Sequence, residues 1–149
     1  MTHSAAPPKR SSSSSSSSAS SSSPSLSPAS DDARAGAVLG KALLRASDRL
    51  ELGSQKELAE VLGVSPPTVS RLLRGTRPLD PSSNEGQRAT LFLRIWRSLD
   101  ALVGGDERAA SAWFHAANHH LGAKPAELAR SITGLVHVAD YLDAMRGKV

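Results

Sequence analysis

The chain has 149 residues, 18 Lys and Arg against 14 Asp and Glu, a formal net charge of +4 and no cysteine. That length holds one or two small domains, and the missing thiols exclude a disulfide framework, a thiolate zinc site and a cysteine nucleophile. No run reaches the roughly 18 to 20 apolar residues of a membrane span, and the first residues lack the apolar stretch of a secretory signal, so a cytoplasmic protein is expected.

Fifteen of residues 11–30 are serine, and Leu26 is the only large apolar side chain among them. Such a segment buries too little apolar surface to offset the entropy of ordering, so residues 1–30 are read as a disordered Ser-rich tail. From Asp32 onward Leu39, Leu43, Ala46 and Leu50 recur at helical spacing, with Gly53 as the stop. Ser54 and Glu57 form a capping box that opens a short helix carrying Leu58, Ala59 and Leu62, closed by Gly63. Ser65 caps a third helix with Pro66 at its first position, where a missing N–H costs nothing, and Gly75 closes it. Residues 76–83 read as a loop.

Beyond it, Leu91, Phe92, Ile95, Trp96, Leu99, Leu102 and Val103 trace a wide apolar stripe ended by Gly104 and Gly105. Asp106 caps a fifth helix with Ala110, Trp113, Phe114 and Ala117. Asn118 and Gly122 mark a turn, Pro125 starts another helix, and Leu135, Val138, Ala139, Leu142 and Met145 define the last, with Thr133 as its expected cap. No strand pattern occurs. The expected fold is therefore all-α: a helix-turn-helix unit over residues 31–83, then a small helical domain over residues 84–149.

The segment from Gln55 to Gly75 resembles a DNA-binding helix-turn-helix. Ala59 is small where two helices cross, Gly63 suits a turn that needs positive φ, and Val64, Val69 and Leu72 supply the apolar contacts. Successive helical residues lie roughly 100° apart, which turns Val69, Leu72 and Leu73 inward and Pro67, Arg71 and Arg74 outward, with Thr68 and Ser70 on the flanks. The N-terminal end of such a second helix enters the major groove, so Pro67, Thr68 and Arg71 are placed to meet base edges, and the neighbouring Ser65 and Ser70 are counted with them as DNA-binding residues. Arg71 suits a bidentate bond to guanine, and Pro67 suits a thymine methyl. Gln55, Arg74 and Arg77 are read as phosphate contacts. Between Arg71 and Arg97 six arginines face only Asp80 and Glu85, whereas from Ser98 onward five basic residues meet six acidic ones. The positive field is thus concentrated beside the motif, as DNA binding requires.

Catalytic chemistry finds little support. His115 and His119 are four apart, but Asn118 suggests that the helix ends before His119, and no carboxylate completes a metal-binding spacing. A Ser/His/Asp hydrolase lacks a strand to carry its nucleophile, and Gly36 to Gly40 has no phosphate-loop context. No enzyme, metal or cofactor is expected.

From residue 89 the chain reads Ala-Thr-Leu-Phe-Leu-Arg-Ile-Trp-Arg, then Ala-Trp-Phe at 112–114, Asn-His-His-Leu-Gly-Ala-Lys-Pro-Ala-Glu-Leu at 118–128 and Tyr-Leu-Asp-Ala-Met-Arg at 141–146. Together with the helix-turn-helix this resembles the Xre/MbcA/ParS-type antitoxins over residues 36–149. The resemblance implies that residues 84–149 bind a toxin and dimerise, that the partner is an NAD-consuming RES-type toxin, and that the antitoxin represses its own operon as a homodimer on operator DNA. It also implies toxin contact through Trp113, Asn118 and Tyr141, and through a chain end of Arg146, Lys148 and Val149 at the mouth of the toxin's active site, where basic groups suit a diphosphate pocket. Trp113, Phe114 and Tyr141 are side chains that anchor interfaces when a core does not consume them. The alternative reading is a stand-alone transcriptional regulator whose C-terminal helices only dimerise or sense a ligand.

Overall fold

A computed structural model describes residues 28–147 of the chain. The tail expected over residues 1–30 lies outside these residues except for its last three, which already belong to the first helix. Seven helices follow in order among the described residues: α1 (Pro28–Arg49), α2 (Gln55–Leu62), α3 (Pro66–Arg74), α4 (Asn84–Leu102), α5 (Glu107–His115), α6 (Pro125–Leu128) and α7 (Ile132–Gly147). The only β-type pairing among them is an isolated bridge between Asn118 and Ala123.

Capping sets most of the boundaries. The Ser54 hydroxyl accepts the Glu57 N–H at 3.3 Å, while the Glu57 carboxylate reaches back to the Gly53 N–H at 2.8 Å. Ser65, Ser83 and Asp106 accept from the third residue of their helices in the same way. Two boundaries differ from the sequence reading. Helix α1 ends at Arg49 rather than at Gly53, because Glu51 itself takes the left-handed turn at φ 50°, with its carboxylate accepting the Ser111 hydroxyl at 3.0 Å. Helix α7 is capped by Ser131, whose hydroxyl accepts the Gly134 N–H at 3.0 Å, and Thr133 lies inside the helix.

Helix α4 organises the core. It packs along α7 and also against α1 and α2, so the N-terminal and C-terminal helices share one apolar interior. Phe92 of α4 meets Phe114 of α5 edge to face at 6.1 Å, and both are fully buried. Close backbone approaches explain two glycines. A Cβ on Gly86 would lie 2.0 Å from the Asp80 carbonyl oxygen, and one on Gly134 would lie 1.8 Å from that of Leu128, so α4 and α7 can begin only where these residues lack a side chain. No described helix is long and apolar enough to cross a membrane.

Candidate nucleic-acid and protein interfaces

Helix α3 is amphipathic, and its buried residues Val69 and Leu72 fix it against α2 and α1. Gly63 between α2 and α3 takes φ 70° and donates its N–H to the Ala59 carbonyl, the conformation that a tight inter-helix turn requires. This mounting leaves Ser65, Pro67, Arg71 and Arg74 exposed and Ser70 half-exposed on the outer side, with Gln55 exposed at the start of α2. The guanidinium groups of Arg71 and Arg74 have no ion-pair partner among the described residues.

Thr68 differs from the sequence reading. It is only 9% exposed, and its hydroxyl is bonded to that of Ser65 at 2.9 Å. Its side chain therefore locks the first turn of α3 instead of projecting toward a base. Arg77 joins the same cluster, donating to the Thr68 hydroxyl at 3.5 Å and to the Glu85 carboxylate at 3.3 Å. The other arginines counted into the positive field divide by role. Arg88 lies over Gly63 and donates to the Val61 carbonyl at 3.5 Å, which satisfies the end of α2. Arg94 is paired with Asp140 and Asp143 on α7, its Nε 2.7 Å from the Asp143 carboxylate. That contact raises the Arg94 pKa and holds the Asp143 carboxyl below its ordinary value, with the Ser98 hydroxyl adding to the depression and burial opposing it. The field beside the motif is thus carried by fewer side chains than the sequence count suggests. One addition comes from α1, because Lys41 lines the same groove of about 410 Å³ as Arg74 and Arg77. Nothing in the sequence brings Lys41 to that place, since the helix crossing that does so is a tertiary fact.

The C-terminal half presents an aromatic surface. Trp113 of α5 stacks on Tyr141 of α7 at 6.3 Å and 15°, and His120 stacks on Tyr141 at 6.2 Å and 25°. Trp113 and Tyr141 are half-buried, whereas Phe114 is wholly consumed by the core. His120 joins the pair because Asn118 folds the preceding loop tightly: its side-chain oxygen accepts the N–H groups of His120 and Leu121 at 3.0 and 3.2 Å, and its N–H donates to the Ala123 carbonyl at 3.2 Å. Asn118 is therefore a turn residue whose oxygen is already engaged. The sequence gives no sign of this contact, since His120 stands 21 residues from Tyr141. The guanidinium of Arg146 turns back to the Ser98 hydroxyl at 3.3 Å, beside Asp143. Lys148 and Val149 lie outside the described residues.

The histidines play separate parts. His115 ends α5 with its Nε2 atom 2.7 Å from the Leu50 carbonyl, tying that helix to the end of α1. Among the described residues no three His, Asp or Glu side chains converge as metal ligands do.

Residues 29–94 match the family model of the antitoxin Xre-like helix-turn-helix domain, and residues 98–148 match that of the antitoxin Xre/MbcA/ParS C-terminal toxin-binding domain. The two matches meet inside α4, the helix that both halves of the core share. No curated protein matches the chain significantly.

Proposed function

Since the chain belongs to the Xre-type antitoxins, with the helix-turn-helix and the toxin-binding domain in that order, we propose that it neutralises a cognate NAD-consuming RES-type toxin by direct binding and represses its own operon as a homodimer. The observation that carries this reading is the pairing of two differently built surfaces on one core. One is a helix end bearing unpaired arginines, and the other is a half-exposed aromatic stack inside the segment matched as toxin-binding.

On the DNA side, α3 enters the major groove by its N-terminal end. Arg71 bonds a guanine edge, Pro67 offers an apolar contact, and Ser65 and Ser70 flank them. Arg74, Gln55 and Arg77 hold phosphates, with Lys41 beside them. Thr68 acts indirectly, through the Ser65 hydroxyl and Arg77, by fixing the turn that aims α3. On the toxin side, Trp113 and Tyr141 are the anchors, His120 extends their surface, and Asn118 shapes the loop that presents it. The chain end from Arg146 to Val149 occupies groups that otherwise hold the diphosphate of NAD, its root fixed by the Arg146 to Ser98 contact.

The neighbouring open reading frame and one assay test the reading. A RES-type toxin gene lies beside this one, and the purified chain suppresses NAD consumption by that toxin at near-stoichiometric ratio. A neighbour of another class, or undiminished NAD consumption at excess chain, would leave a stand-alone regulator.

A further inference from the structure

Helix α1 carries a second, outward pattern beside its core stripe. Asp31, Ala35, Val38, Ala42 and Arg45 recur at four, three, four and three residues, which places them along one face. Val38 is 68% exposed, more than any other large apolar side chain in the described residues. It stands at the edge of an open, mainly apolar groove of about 390 Å³ between α1 and α4, lined by Ala42, Leu39 and Leu93 with Arg34 and Arg97 also at its wall. The opposite flank of α1, with Gly36 and Gly40, faces the end of α3 and the following loop, so the Val38 face is not used by the DNA-reading unit.

The charge pattern of this face is self-complementary. Asp31 and Arg45 stand seven residues on either side of Val38, and neither has an ion-pair partner among the described residues. We infer that a second copy of this chain docks here, α1 against α1 in antiparallel alignment, with the two-fold axis passing beside Val38. In that register each Asp31 faces the Arg45 of the other copy, so the same ion pair forms twice, as an isologous interface demands. Parallel alignment would set Asp31 on Asp31 and Arg45 on Arg45. The small Ala35 and Ala42 let the helices approach, and the two Val38 side chains meet at the axis, beside the groove that Leu93 lines. Arg34 lies about 60° off the stripe, where its stem covers the seam and its charged end reaches water. The inference rests on the homodimer of the proposed function and assigns its surface to α1 and α4, in addition to the C-terminal domain where the resemblance placed dimerisation.

The absence of cysteine from the chain makes a direct test available. In the full-length protein, Val38→Cys gives a disulfide-linked dimer on mild oxidation, because position 38 faces itself across the axis. Asp31→Cys alone gives none, and Asp31→Cys with Arg45→Cys does. Sedimentation equilibrium of Val38→Glu shows self-association weakened by about tenfold or more, as loss of a central anchor predicts. Asp31→Arg also weakens it, and adding Arg45→Asp restores it. Should Val38→Glu fail to fold, the cysteine variants decide alone. A dimer that neither cross-links at position 38 nor weakens with Val38→Glu overturns this surface while leaving the dimeric repressor intact. A wild-type chain that stays monomeric at high micromolar concentration overturns both, and toxin neutralisation is unaffected by either result.

Discussion

At the scale of single residues, the arginines separate by what already holds them. Arg71 and Arg74 have no carboxylate partner among the described residues, whereas Arg88 is spent on the end of α2 and Arg94 on α7. Arg71→Ala is accordingly expected to lose about 1–3 kcal/mol of discrimination at one base position, while Arg74→Ala weakens operator and random DNA alike and flattens the salt dependence. Binding titrations on both DNAs at several salt concentrations distinguish them, and equal losses on operator and random DNA for Arg71→Ala would remove it from the reading role. The Arg94 to Asp143 pair makes a second prediction. The folded pKa of Asp143 is depressed by Arg94, so its contribution to stability is present above the ordinary carboxylate range and is lost as pH falls through the folded value. The stability difference between wild type and Asp143→Asn, followed by denaturant unfolding, should therefore shrink as pH drops below that range. A gap that stays constant with pH would show that the pair contributes nothing to the acid limb. Outward positions on α3 were legible because helical geometry fixes them. The partners of Arg88, Arg94 and Thr68 were not, because each lies on another element or depends on one local rotamer.

At the scale of elements, the short-range chemistry of the chain was readily legible. Ser54, Ser65 and Asp106 cap the helices they were expected to cap, and Gly63 and Gly75 close α2 and α3 at positive φ. The reading failed where tertiary contacts outweigh local preference. The left-handed turn after α1 falls on Glu51 rather than on a glycine, because the Ser111 hydroxyl on α5 donates to its carboxylate. The cap of α7 moved from Thr133 to Ser131 because Gly134 must sit against the backbone of α6, a constraint no periodicity reveals. With the hypothetical Cβ at 1.8 Å from a backbone oxygen, Gly134→Ala is expected to cost about 3 kcal/mol, the upper end of ordinary overpacking penalties. Thermal unfolding should show a fall in Tm of several degrees or more. Gly40→Ala, where a Cβ meets nothing within 4 Å, is the control and should leave Tm unchanged or slightly raised. An unchanged Tm for Gly134→Ala would mean that α6 is free to shift away from α7.

At the scale of the whole molecule, α4 is what makes one protein of two domains. It packs on α1, α2 and α7, and the boundary between the two family matches falls within it, so the DNA-reading and aromatic surfaces share a core. The division of labour along the sequence was legible from the motif in one half and the aromatics in the other, whereas their common core was not, because it depends on how helices distant in sequence cross. Surfaces built from separate side chains should nevertheless fail separately. Removal of residues 146–149 is expected to leave DNA binding near normal while releasing toxin activity, and a truncated chain that still neutralises fully would show that the tail is not the inhibitory element. The most direct measurement is the NAD level in cells that co-express the neighbouring toxin with variants of this chain. Wild type and Arg71→Ala should both preserve NAD, and Trp113→Ala combined with Tyr141→Ala should let it collapse while the variant still binds operator DNA. NAD preserved by the aromatic double variant, or lost with Arg71→Ala, would contradict the assignment of toxin neutralisation to the aromatic surface.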